Sequence, residues 1–298
     1  MANRTGLRPE DRIGEALVAF AADILADARR ALTDEALSDA IAIHDFRKAM
    51  KRWRAFLRLL EPTIGDEARA LRMAARDLAR ELAPARDAQS ALDALADLGK
   101  AEQAPSARML TSMHTRLETM RAAAETTTLT PPLRQRLADA LDAAAAEAET
   151  WPLKRTTFAE VAAGLTKAYA RAQEAIPSVW SEADAEALHE LRQRVVVHRY
   201  QMDLVLPLWP RFGKLWVGEA QRLRERLGTC QDLAVLRDFT RPRAPLAHWR
   251  ARLKAATDER HATHLRAAAR MAGRLFSEKP KAFQRRMQAL WRAGDKDE

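Results

Sequence analysis

The sequence has one cysteine, Cys230, and two tyrosines among 298 residues. A lone cysteine excludes an intramolecular disulfide and a cysteine-based metal site, and it fits a reducing compartment. Glycine is sparse, at ten residues, and neither a Walker-type loop nor a Rossmann glycine fingerprint occurs. HExxH pairs and nucleophile elbows are missing as well. So are carboxylates arranged to hold divalent metal for phosphoanhydride hydrolysis. No run approaches the ~18 apolar residues of a membrane span. The opening MANRTGLRPEDRIGEAL lacks an apolar signal core. The expectation is a cytoplasmic, non-catalytic chain with no metal and no cofactor.

What is present is helix-forming and basic. Hydrophobic residues make up 47% of the chain, chiefly Ala and Leu, enough for a packed core and more suited to helix than to sheet. The 50 Lys and Arg exceed the 41 Asp and Glu, for a net charge of +9. Arginine outnumbers lysine roughly four to one, and its planar guanidinium grips phosphate oxygens through a two-pronged fork. Apolar residues recur at three- and four-residue spacing almost throughout. Breaks are expected at Pro62–Gly65, Pro84, Gln103–Ser106, Thr126–Pro132, Trp151-Pro152, Pro177–Ser181, Pro207–Gly213, Gly228-Thr229 and Arg241–Pro245. The predicted fold class is all-α.

The chain also repeats itself. A shift of 145 residues superposes His44 on His189, Arg47 on Arg192, Arg54 on Arg199, Leu59 on Leu204 and Pro62 on Pro207. The same ungapped shift brings Leu78, Leu82 and Asp87 onto Leu223, Leu227 and Asp232. One offset serving two separated segments points to a tandem duplication. Its seam falls near Trp151-Pro152, with halves at 13–150 and 151–292 and short tails at 1–12 and 293–298.

Residues 43–60, read as a helix, place His44, Arg47, Lys48, Lys51, Arg52, Arg54 and Arg58 in one arc of about 160°. Phe46, Met50, Trp53, Phe56, Leu57 and Leu60 take the opposite arc. Charged faces ordinarily mix signs, because acid–base pairs one turn apart stabilise a helix and like pairs cost it. Six Lys/Arg within twelve residues, almost without acid, point to an anionic ligand. The second copy is thinner: His189, Arg192 and Arg199 remain, but Val196, Val197 and Asp203 stand where Lys51, Arg52 and Arg58 do. Arg194 lies toward its apolar side.

Several residues admit two readings. Asp87 and Asp232 either orient a histidine or arginine of the basic helix, as carboxylates behind metal-bound histidines do, or cap a helix or loop. Arg72, Arg76 and Arg80 form a mixed solvated face that borders the site. His198, centred on the apolar arc, reads as a core histidine. His261 and His264 have metal-ligand spacing but no third ligand beside them. Arg266, Arg270 and Arg274 continue that helix as a second basic stripe, either an extension of the binding surface or ordinary solvation. Cys230 reads as a quiet thiol in a loop.

His44-x-x-Arg47-Lys48-x-x-Lys51-Arg52-x-Arg54, its second copy and the later Leu-x-x-x-Leu…Asp element resemble the conserved histidine α-helical domain, or CHAD, family over 13–292. GLTKAYARA (164–172) is similar to the family's lead-in to its second half. The second copy departs from the family pattern at Gln193, Val196 and Val197. The resemblance implies two roughly four-helix bundles related by a pseudo-two-fold axis, with the basic helices facing a shared cleft or channel. It further implies binding of inorganic polyphosphate and association with polyphosphate granules. With no acidic strand motif for a triphosphatase tunnel, this chain resembles a stand-alone member.

A polyphosphate thread would release condensed counterions on binding, so affinity should fall with salt. It should rise as histidines protonate below neutrality. Nucleic acid is the alternative polyanion. Single-strand binders interleave aromatics with their cations, however, and here Phe46, Trp53 and Phe56 sit on the opposite face. A phosphoanhydride hydrolase and a scaffold for an acidic protein are weaker alternatives. On this reading, Arg47, Lys51 and Arg54 can all be reversed to Glu without cost to folding.

Overall fold

The computed structural model describes residues 6–82, 86–124 and 129–294. Among them the chain forms eleven α-helices and no strand. The first six are α1 (Ile13–Thr33), α2 (Asp39–Ile64), α3 (Asp66–Glu81), α4 (Arg86–Leu98), α5 (Ala107–Ala124) and α6 (Pro131–Glu149). After a 3-10 turn follow α7 (Phe158–Glu174), α8 (Ala185–Leu204), α9 (Pro210–Phe239), α10 (Arg250–Leu275) and α11 (Pro280–Gly294). None of these helices is long and apolar enough to cross a membrane. Local chemistry sets several starts. Ser38 accepts from the Ile41 backbone N–H at 3.5 Å ahead of α2, and Thr157 with Glu160 closes a reciprocal capping box on α7.

The break expected at Pro62–Gly65 is present, and the one expected at Gly228-Thr229 is absent. Helix α2 runs through Pro62 and stops at Gly65. Helix α9 runs unbroken through Gly228 and Thr229 for 30 residues, about 45 Å at the standard rise. Gly228 faces Arg192, and a Cβ there would stand 3.4 Å from Arg192 Nε, an ordinary contact. The glycine admits the arginine and ends nothing. Cys230 is accordingly buried inside α9, not in a loop. Burial, then the Asp97 carboxylate, pushes its thiol up to about 12, so the quiet reading holds. The Pro84 break lies outside the described residues.

Two apolar cores form, and each draws on both sides of the Trp151-Pro152 seam. The larger joins α1, α2, α3 and α6 with α7, α8, the start of α9, the end of α10 and α11. The smaller joins Ala91, Leu95 and Leu98 of α4 and Met113 and Leu117 of α5 to Leu233, Leu236 and Leu253 of α9 and α10. The long helices α9 and α10 thus run from one core into the other. Trp151, at the seam itself, stacks on Trp53 at 5.8 Å and donates to Glu67 at 3.0 Å. Of the expected N-terminal tail, Leu7 is fully buried and its N–H donates to the Leu204 carbonyl at 2.7 Å. Leu7 belongs to the fold because its apolar side chain and backbone both find partners.

His198 is a core residue, as its place on the apolar arc predicts. It is 0% exposed and accepts a hydrogen bond from Trp216 Nε1 at 2.9 Å, which leaves the ring proton on Nδ1. Burial, then Arg286, lowers its pKa from 6.5 to about 3. The folded ring stays neutral where the unfolded ring takes up a proton. Stability should therefore fall as pH drops from 6.5 toward 3, by up to about 1.4 kcal/mol per pH unit from this group. Thermal unfolding followed across that window should show the loss, with a shallower slope in His198→Gln. Equal slopes would assign the acid sensitivity to other groups.

Candidate functional site: a cation cluster on four helices

Helix α2 is the centre of the site, and its neighbours are α1, α3, α7 and α8. Phe46, Met50, Trp53, Phe56, Leu57 and Leu60 are all buried, so the polar arc is turned outward by packing alone. His44, Lys48 and Lys51 are exposed along it, while Arg54 and Arg58 are half-buried.

The deeper part is crowded with like charge. Burial lowers the Arg54 pKa, and Arg76, Arg72 and Arg80 of α3 lower it further. For Arg58 burial is again the largest cause, followed by Arg72, Arg194, Arg54 and Arg171, and together they bring it to about 10. Guanidinium groups rarely fall so far, because a group this basic sheds its proton only where other cations and lost solvation oppose it. Arg58, Lys167, Arg171 and Arg194 line a pocket with Gly164 and Gln201. At its edge α7 crosses α2 closely: a Cβ on Gly164 would lie 2.6 Å from Leu59 Cδ1. The cluster has acids at its rim. Glu61 pairs with Arg72 and Arg69, Asp77 with Arg76, and Glu190 with Arg194 at 2.5 Å.

Two of the cations read from the basic arc have structural work. Arg52 is 5% exposed, with ion pairs to Asp23 at 3.2 Å and Asp27 at 3.1 Å and its guanidinium over the Phe20 ring. It sits at the edge of the arc nearest α1, and α1 supplies the acids that turn it inward, away from the exposed array. Arg47 donates to the carbonyls of Ala79 at 3.1 Å and Leu82 at 3.0 Å, satisfying the C-terminal end of α3. Its reversal to Glu would therefore disturb the fold, contrary to the sequence-based expectation.

The second copy is also turned elsewhere. His189 Nδ1 lies 3.1 Å from Gln231 Oε1, and Arg192 lies against Gly228, both on α9. Arg199 covers the Tyr200 ring at 4.0 Å. The cations that α7 and α8 bring to Arg58 are instead Arg171 and Arg194, with Lys167 beside them in the pocket. Lys167 and Arg171 stand four residues apart in GLTKAYARA, a spacing that puts both on one face of α7.

Asp87 is exposed in the first turn of α4, where a carboxylate complements the helix dipole. Asp232 is half-buried in α9 and adds to the upward push on Cys230. His264 is engaged by Asp97 at 2.9 Å and by Arg226 at 3.1 Å. Burial opposes ionisation of Asp97, but hydrogen bonds from His264 and Arg260 hold the carboxyl well below its usual range. Burial, then Arg237, lowers His261. Among the described residues no group of three His, Cys, Asp or Glu is placed to hold a metal ion. Arg266, Arg270 and Arg274 are exposed on α10. Arg286, unremarkable in the sequence, packs over Phe212 and Trp216 at 4.8 and 4.7 Å.

Comparison with known proteins follows the same lines. The CHAD domain family model matches residues 15–241. A crystal structure of the CHAD domain from the plant Ricinus communis superposes with a TM-score of 0.58, at 20% identity, over 97% of this chain and 96% of that one. No curated protein matches the chain.

The division of labour along α2 is open to measurement. Arg52→Ala should cost about 1–3 kcal/mol in urea unfolding, because Asp23 and Asp27 lose their shared partner but remain partly solvated. Lys48→Ala should stay within about 0.5 kcal/mol. Equal effects would place both residues on the same face.

Proposed function

The chain belongs to the CHAD domain family, and from that premise we propose that it is a non-catalytic binder of inorganic polyphosphate. The observation that carries the reading is the convergence of Arg58, Lys167, Arg171 and Arg194 on one pocket, where burial and arginines on α2, α3, α7 and α8 lower the Arg58 pKa. Such crowding costs folding free energy in the absence of an anion. A flexible thread with about one negative charge per phosphate would relieve it and release condensed counterions. Lys48, Lys51 and His44 would extend the track along α2, with Arg76 and Arg80 of α3 beside it. Polyphosphate granules in the cytoplasm are the natural setting for such a protein.

We read the architecture as a tandem duplication around a pseudo-two-fold axis, with the basic face as a central cleft. Supporting this, α7 begins at Phe158 and α1 at Ile13, separated by the repeat offset. Helix α8 likewise answers α2, α9 answers α3 with α4, and α10 and α11 answer α5 and α6. Single-stranded nucleic acid is the alternative ligand. The burial of Trp53, Phe46 and Phe56 removes from α2 the stacking platforms such a ligand needs.

Long-chain polyphosphate should bind with a salt slope of roughly −0.7 per phosphate neutralised, and more tightly than single-stranded DNA matched in length and charge. The triple variant Lys48→Glu, Lys51→Glu, Arg54→Glu should abolish binding while its circular dichroism stays helical. Equal affinity for the DNA would move the assignment to nucleic acid. Silence toward both at low salt would retire polyanion binding.

A further inference from the structure

The pocket between α2, α7 and α8 differs from the open track along α2. Its cations converge: Arg58 from α2, Lys167 and Arg171 from α7, and Arg194 from α8 all line one small space. Gln201 closes part of the wall and is 3% exposed. Its amide Nε2 donates to the Ala55 carbonyl at 2.9 Å, which fixes the amide orientation, since a carbonyl needs a donor. The Oε1 acceptor is left buried with no hydrogen-bond partner. Four convergent cations favour the ionised form of any phosphate that enters, so the pocket suits a group that carries more charge than one phosphate inside a chain.

An internal residue of a polyphosphate chain has one ionised oxygen and no P–OH at neutral pH. A terminal residue has a second acidic group that titrates near neutrality, as in a phosphate monoester, where the second pKa is about 6. It brings more charge than an internal residue. We propose that this pocket captures the terminal phosphate of a linear polyphosphate, so that the protein recognises chain ends as well as chain length. The inference rests on the polyphosphate reading of the same face. The guanidinium groups of Arg58, Arg171 and Arg194 and the Lys167 ammonium neutralise the terminal oxygens. Glu190, paired with Arg194, and Glu61, whose ionisation Lys167 assists, stand at the rim as its nearest carboxylates.

A ring has no end, and that separates the two ideas. Calorimetric titration of the full chain with linear tripolyphosphate, with cyclic hexametaphosphate of higher total charge, and with long-chain polyphosphate supplies the comparison. The linear trimer should bind at least about tenfold more tightly than the ring, a gap of one good charge-assisted contact. In Lys167→Ala, Arg171→Ala, two exposed substitutions on α7, that ratio should fall toward one, and a ratio that stays near tenfold overturns end capture at this pocket. A ring that binds the intact protein as tightly as the trimer overturns end capture and leaves polyphosphate binding standing. Failure of all three ligands to bind overturns both.

Discussion

Everything distinctive about this molecule depends on the apolar face of α2 holding its basic face in place. Phe46, Met50, Trp53, Phe56, Leu57 and Leu60 are each at most 3% exposed. Burying side chains of that size contributes on the order of 1.5–3 kcal/mol apiece. That is enough to oppose the mutual repulsion of cations on the other side. Without it, Arg54 and Arg58 would swing apart into water. With it, they are held beside Arg72, Arg76, Arg171 and Arg194 from three other helices. The fold stores electrostatic tension in one place, and the hydrophobic core is what stores it.

The helices and the basic arc were readable from residue order because both obey a short period. A strip of apolar residues at three- and four-residue spacing declares its own buried side. What that period cannot convey is which neighbour an edge residue meets. Arg52 lies at the margin of the arc, and only the arrival of α1, bearing Asp23 and Asp27, turns it inward. Arg47 faces the right way, but α3 ends beneath it and offers bare carbonyls. Both corrections come from tertiary partners with no fixed sequence distance. Lys167 and Arg171 were overlooked for the converse reason: two cations on a short mixed helix look solvated until α7 is laid against α2. Their four-residue spacing, together with a glycine three positions earlier, was the available signal.

Gly228 teaches a related lesson about punctuation. Beside Thr229 it reads as a stop, yet α9 continues through it with Arg192 packed alongside. In the first half the corresponding helix does end, at Leu82, and Arg47 occupies the carbonyls that the break exposes. The same arginine position thus does two jobs, filling a notch in a continuous helix in one half and capping a broken helix in the other. A break also lets α4 leave the axis of α3 and build the smaller core with α5, α9 and α10.

The charge is unequal between the two halves as well. On α3 the arginines at 72, 76 and 80 add to the field on α2. The matching positions on α9 are Val217, Gln221 and Glu225, which add none. On α8 the deeper positions are Val197, Gln201 and Asp203, and Gln201 is used to tie α8 to the Ala55 carbonyl of α2. Helices α7 and α8 instead bring Lys167, Arg171 and Arg194 to Arg58. Arginine suits that arrangement better than lysine. Its stem can lie along apolar surface while a rigid planar head keeps several donors aimed outward. A half-buried lysine would more readily surrender its proton under the same repulsion. A face built to stay charged while crowded has to be built mainly from guanidinium groups.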